Sequence, residues 1–214
     1  AARCAVSRDH RASVGEDGVV IGEPRAEGGE RALIRELGRV EYEPTWRAMQ
    51  DFTVRRTADT PDELWLLEHP PVYTQGQAGR AEHLIAATDI PVVPIDRGGQ
   101  ITYHGPGQVV ASALFDLRRR GYGILELVAR MEQAVINVLA AQGVTATRLA
   151  GAPGIYVDGA KIAALGLRVK HGCCYHGLAL NADMDLSPFD AINPCGYPGL
   201  EVTQARNLGI MDSL

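Results

Sequence analysis

The chain has 214 residues and a mass of 23.0 kDa, enough for one domain with a full core. Its 46% hydrophobic and 22% charged residues give a globular balance, and its net charge of −5 argues against a broadly basic nucleic-acid binder, leaving room only for a local basic patch. No apolar run approaches the ~18–20 residues of a membrane span, and the amino end lacks the apolar stretch of a secretory signal. The cysteines at 4, 173, 174 and 195 do not have the spacing of a disulfide scaffold. They read as reduced thiols of a cytoplasmic protein.

In chain order, residues 1–30 carry scattered charge and five glycines around one apolar cluster, Val19-Val20-Ile21. They predict a loosely held extension, with residues 31–214 forming a single domain. Tyr42-Glu43-Pro44 reads as a helix entry with Pro44 at the first helical position. Trp46, Met49 and Phe52 then recur at helical spacing. Pro61-Asp62 reads as a turn, and Leu64-Trp65-Leu66-Leu67 as a strand buried on both faces. Val72–Thr74, Val92-Val93, Ile101–Tyr103 and Val109–Ala111 read as further strands between Gly and Pro. Arg118-Arg119-Arg120 is a basic run that either faces solvent or steers an acidic partner.

A helix is predicted over 123–142, with Ile124, Val128, Met131, Val135 and Val138 as its apolar stripe and Gly143 as its C-terminal cap. Asp158-Gly159 between two apolar runs predicts a hairpin, because that pair suits positive φ at both turn positions. Tyr175 to Asn181 is a last strand. Strands mixed with a few helices, without regular alternation, predict an α+β fold: a mixed sheet packed by helices.

Four segments could carry chemistry. In Arg97-Gly98-Gly99-Gln100-Ile101-Thr102-Tyr103-His104, two glycines follow an arginine and lead into a strand, closed by Gly105-Pro106-Gly107. Such glycines either shape a tight hairpin or let backbone approach a ligand. The segment is neither a phosphate loop nor a dinucleotide fingerprint. Lys161 shares an alternating strand face with Ala163, Leu165, Leu167 and Val169, so it either snorkels or sits desolvated beside a partner. Cys195, between Pro194 and Gly196, lies on a sharply turning loop, either as a packed thiol or as a presented nucleophile. A nearby ammonium would stabilise its thiolate, the reactive form. The stretch from His171 through Cys173, Cys174 and His176 invites a zinc reading. Strand alternation separates those ligands, however, and no second pair stands at metal spacing, so no metal is expected. His176-Gly177-Leu178-Ala179 is the part of it placed near a ligand.

Together these segments resemble the lipoyl(octanoyl) transferase family, also called lipoate-protein ligase B. The likeness is carried by Arg97-Gly98-Gly99-x-x-Thr102-Tyr103-His104-x-x-Gly107-Gln108, Lys161-Ile162-x-x-Leu165-Gly166, His176 to Asn181 and Asn193-Pro194-Cys195-Gly196, in that order. Upstream, Leu67-Glu68-His69-Pro70 and Thr74 to Gly79 match as well. The likeness spans about residues 33 to 208. It implies a biotin/lipoate protein ligase-like fold. The implied reaction moves an octanoyl group from octanoyl-acyl carrier protein to a lysine of a lipoyl domain, as in 2-oxoacid dehydrogenase complexes or the glycine cleavage H protein. Cys195 would be the acyl-thioester nucleophile, with Lys161 stabilising it and shuttling protons. Arg97 to His104, Ala164-Leu165-Gly166 and Gly177-Leu178-Ala179 would line the acyl pocket. Neither ATP nor a metal is implied, because a thioester donor is already activated; no nucleic acid or membrane partner is implied either. Cys174 departs from the pattern as an extra thiol close to that pocket.

Rival expectations are an ATP-dependent lipoate or biotin ligase, a cysteine thioesterase using His104 or His176 as base, and a docking module without catalysis. Oxyanion donors are expected near Gly98-Gly99 or after the His176-Gly177 turn.

Overall fold

The computed structural model describes residues 13–14, 20–22 and 32–210. Its strands in chain order are β1 (Ser13–Val14), β2 (Val20–Gly22), β3 (Ala32–Arg39), β4 (Asp62–Glu68), β5 (Val72–Gln75), β6 (Val92–Pro94), β7 (Ile101–His104), β8 (Gln108–Asp116), β9 (Thr147–Leu149), β10 (Ala152–Val157), β11 (Ala160–Lys170) and β12 (Cys173–Asn181). Nine form the main sheet, in the order β1-β2-β3-β4-β8-β12-β11-β10-β9, and β6-β5-β7 form a small second sheet. The main sheet is mixed: β3 and β4 run parallel and its other pairs antiparallel. A parallel pair needs a crossover, and helix α1 (Tyr42–Arg55) supplies it. The remaining α-helices are the single turn α2 (Leu117–Arg120) and α3 (Ile124–Ala141).

The two long helices cover opposite faces. Met49 of α1 packs on Trp65, Leu67, Val110, Leu114, Tyr175 and Ala179. On the other face, α3 sets Val135 and Leu139 against Ile155 and Ile162, and Leu127 and Met131 against Ala113, Leu167 and Cys174.

Several expectations shift in detail. Helix α1 starts at Tyr42, so Pro44 is its third residue, still within the first turn, where amide hydrogens have no helical acceptor. Asp62 begins β4 instead of closing a turn. The buried line of α3 is Leu127, Met131, Val135 and Leu139, while Ile124 and Val138 are exposed. The stripe is turned because Glu132 is buried: its carboxylate accepts from Arg148 Nε at 2.9 Å and Gly154 N at 3.2 Å. Strands β3 and β9 were not anticipated; β3 is half exposed and rich in charge. The Asp158-Gly159 hairpin has φ of 50° and 88°, and a second turn of the same kind, His171-Gly172 (52° and 78°), joins β11 to β12. That turn accounts for two residues of the candidate zinc stretch.

Arg119 and Arg120 are neither a solvated face nor a free docking patch. With Arg56 they converge on the buried Asp62 carboxylate, Arg119 at 2.7 Å and Arg120 at 2.5 Å. Arg118 is exposed beside Gly172. Within residues 1–30, β1 and β2 extend the sheet edge beside β3, and the rest of that stretch lies outside the described residues.

Candidate active site

Cys195 stands where Pro194, locked in φ, meets Gly196. Its own φ is 55°, a left-handed conformation that a non-glycine residue adopts only when its surroundings hold it. Two bonds fix the turn: Gly196 N donates to Asn193 O at 2.9 Å, and Asn193 N to His83 O at 2.8 Å. Gly196 has a φ of 80°, in the left-handed region that favours glycine, and a side chain there would also meet Gln100 Cγ at 2.8 Å. The Cys195 side chain is only partly buried and is presented to the cleft described below.

Lys161 reaches it from β11 across 34 residues of chain. Its Nζ lies 3.3 Å from Cys195 Sγ, donates to Pro153 O at 3.1 Å and stands 5.1 Å from the Tyr156 ring centre. Gly154 makes room for it, since a Cβ there would stand 3.0 Å from Lys161 Cε. Lys161 is 3% exposed, so its side chain does not snorkel to solvent. Burial works against its charge, but the Cys195 sulfur and Tyr156 outweigh that and raise its pKa above the ordinary lysine value.

Beside the pair lies a narrow cleft, partly open to solvent. Its floor comes from Ala164, Leu165 and Gly166 of β11, Gly177, Leu178 and Ala179 of β12, and Val110 and Ser112 of β8. Tyr42 and Met49 of α1 contribute from above, with Arg97, Thr102, His104, His69 and His176 on the walls. Arg97 is 8% exposed and donates to Thr74 O (2.8 Å), Thr74 Oγ1 (2.9 Å) and Gly98 O (2.9 Å), all neutral oxygens. Burial lowers its pKa, while Tyr42 and the Cys195 sulfur act to raise it.

Alternation on β7 divides the arginine-led segment. Thr102 and His104 face the cleft, whereas Ile101 and Tyr103 point away, into a core with Tyr73, Phe189 and Ile192. The structure therefore removes Ile101 and Tyr103 from the cleft wall. Gly98, Gly99 and Gln100 are also outside the lining. Gly98 N donates to Leu167 O at 3.0 Å, so that amide is already engaged and does not serve as an oxyanion donor. Gly99 O accepts from Ala78 N at 3.1 Å, and Gln100 packs on Gly196.

Asp96, missed in the sequence, organises one wall. It accepts from Trp46 Nε1 (2.8 Å) and Gln50 Nε2 (3.2 Å) of α1, and from Tyr175 Oη and His176 Nε2 (3.1 Å) of β12. Both β12 neighbours reach it because His176, at φ 63°, breaks the strand's alternation. Burial opposes the Asp96 charge, but these four donors prevail and hold its pKa well below the carboxylate range. The available signal was its position directly before Arg97.

A second chain of bonds fixes His104. Its Nδ1 donates to Gln108 Oε1 at 2.7 Å, leaving Nε2 to accept from Thr74 Oγ1 at 3.3 Å. The ring stacks on Tyr42 at 5.8 Å and meets His69 edge-on at 5.9 Å. Burial first, then the nearby His69, push its pKa down to about 3. A histidine this reluctant to protonate is a poor general base near neutrality. It also makes the fold acid-sensitive. The unfolded ring protonates near 6.5, so stability is full above that value and declines as pH falls from there towards about 3. Between pH 7 and pH 5 we expect a loss of about 2 kcal/mol from this residue. His69 and His176, also lowered chiefly by burial, act in the same direction. Urea unfolding at the two pH values measures the loss, and His104→Gln should shrink it; equal stability at both would contradict the assignment.

Cys174 does not border the cleft. It is fully buried on the α3 face, its Sγ donates to Ala113 O at 3.3 Å, and burial pushes its pKa up to about 12. Among the described residues no group of three or more His, Cys, Asp or Glu could hold a metal ion, and no helix is long and apolar enough to cross a membrane.

Residues 43–209 match the family described as the lipoyl protein ligase A/B catalytic domain. An octanoyltransferase from Thiobacillus denitrificans is 76% identical over 191 residues, covering 89% of this chain and 88% of that one. One from Aromatoleum aromaticum is 63% identical over 191 residues, covering 89% and 83%. Among solved structures, a lipoate-protein ligase A bound with ATP aligns with a TM-score of 0.66 at 17% identity, over 82% of this chain and 76% of that one. At that identity the likeness concerns the fold.

Proposed function

Because the chain belongs to the lipoyl protein ligase A/B catalytic domain family and is an octanoyltransferase acting in protein lipoylation, we propose that the octanoyl group passes through Cys195 as a thioester, with Lys161 moving the protons. The observation that carries this is the 3.3 Å contact between Lys161 Nζ and Cys195 Sγ at the side of an apolar cleft. The donor is an octanoyl thioester of acyl carrier protein. The acceptor is a lysine of a lipoyl domain, as in 2-oxoacid dehydrogenase complexes or the glycine cleavage H protein.

In the first half, the Cys195 thiolate attacks the donor carbonyl, and a carbon–sulfur bond to Cys195 forms. As the intermediate collapses, the donor's carbon–sulfur bond breaks, and the departing thiolate takes a proton from the Lys161 ammonium. Acylation removes the negative charge that favoured the ammonium, while burial of the amine remains. Lys161 is then poised as a base. In the second half, the acceptor amine attacks the acyl-enzyme and a carbon–nitrogen bond forms. Lys161 takes the amine proton, and Cys195 leaves as a thiolate, restoring the starting ion pair. The first half conserves the thioester bond energy and the second spends it on forming the amide, so no nucleotide is required. The three free cysteines among the described residues fit the reducing, cytoplasmic setting in which a thiolate survives.

The test is the fate of purified octanoyl-enzyme mixed with a lipoyl domain and no nucleotide. Octanoyl should move to the domain's lysine. Release of free octanoate instead would favour a thioesterase, and a requirement for ATP would favour a ligase.

A further inference from the structure

The floor of the cleft changes character across the sheet. Pairing places Ala164 of β11 opposite Ala179 of β12, Ala179 opposite Val110 of β8, and Val110 opposite Leu67 of β4. Partners directly opposite share a face, and Ala179, Val110 and Leu67 all pack with Met49. The row is therefore small, small, large, large. Met49, 2% exposed, lines the cleft together with Ala179 and Val110.

Distances along this row match the substrate. Neighbouring strands lie ~4.8 Å apart, so β11 to β8 is about 10 Å. An extended eight-carbon acyl chain has seven carbon–carbon bonds, each advancing ~1.2–1.3 Å, or about 9 Å in all. Cys195 stands at the β11 end, in contact with Lys161.

We infer that the acyl chain lies across the strands and that Met49 and Val110 end its path, making them the residues that set its length. The inference rests on the reading of Cys195 as the acyl carrier. The chain passes over the two alanines and its terminal methyl meets the Val110 side chain beneath the Met49 thioether. Truncating either residue opens a path towards Leu67 for a longer chain.

The experiment compares loading of the enzyme from octanoyl and dodecanoyl thioesters of acyl carrier protein, read by intact mass over time. The quantity is the dodecanoyl-to-octanoyl rate ratio within one protein, which cancels any loss of folded fraction. Met49→Ala and Val110→Ala should each raise that ratio about tenfold or more. Met49→Leu, similar in volume, should leave it near the wild-type value. Should Met49→Ala fail to fold, Val110→Ala decides alone. An unchanged ratio in the folded variants overturns the inference while leaving Cys195 as the acyl carrier. A wild-type enzyme that takes no acyl group on Cys195 from either donor overturns the reading beneath it.

Discussion

Lys161→Ala should slow octanoyl loading at pH 7 by about 10²–10⁴-fold, the range for loss of a positioned proton carrier. The amine has two roles that no neighbour can assume. It is the cation in contact with Cys195 Sγ, at 3.3 Å, and it is the proton source for the departing thiolate. His104 is held neutral by burial and engaged with Gln108 and Thr74, so it offers no substitute. Lys161→Arg should not rescue the rate. A guanidinium keeps the charge but does not give up its proton. Single-turnover loading measures the main effect. Alkylation of Cys195 by iodoacetamide at pH 7 provides a second reading and should slow as the thiolate loses its counter-ion. A variant that loads and alkylates at the wild-type rate would leave Lys161 without a chemical role.

Asp62→Ala should destabilise the fold by about 3–5 kcal/mol, as expected when one partner of a buried ion cluster is removed. Its carboxylate is 1% exposed and faces three guanidinium groups, from Arg56, Arg119 and Arg120, while also accepting from Asp116 N at 2.9 Å. Burial alone would raise the Asp62 pKa, but those donors outweigh it and the pKa is lowered. Removing the carboxylate leaves buried or half-buried cations without their common anion at the junction of β4, β8 and α2. By contrast, Glu43→Ala, which breaks an exposed i,i+4 pair with Arg47, should change stability by about 0.5 kcal/mol or less. Urea unfolding at pH 7 compares the two. Equal small effects would mean that the cluster adds little to stability.

The chemistry of the site was more legible in the sequence than its walls. Cys195 between proline and glycine, and Lys161 just after an Asp-Gly turn, are local signals, because each turn dictates its residue types. That 34 intervening residues bring the two side chains together is a tertiary fact, decided by the pairing of β10, β11 and the 201–203 segment. Met49 and Tyr42 read only as helix residues, since periodicity shows which residues lie on one face but not what that face covers. Asp96 gave no periodic signal at all. Its role depends on donors from α1 and β12, elements 46 to 80 residues away. The arginine run reads as a surface feature because charge in sequence carries no information about a buried carboxylate 58 residues upstream. The turned stripe of α3 has the same origin, a buried Glu132 satisfied by Arg148 and Gly154.

Peptide mapping of the enzyme after brief exposure to octanoyl-acyl carrier protein tests the central claim most directly. A single octanoyl group on the peptide holding Cys195, removable by hydroxylamine and missing from Cys195→Ser, is the predicted result. Steady transfer to a lipoyl domain by Cys195→Ser, or octanoyl found only on other residues, would contradict it.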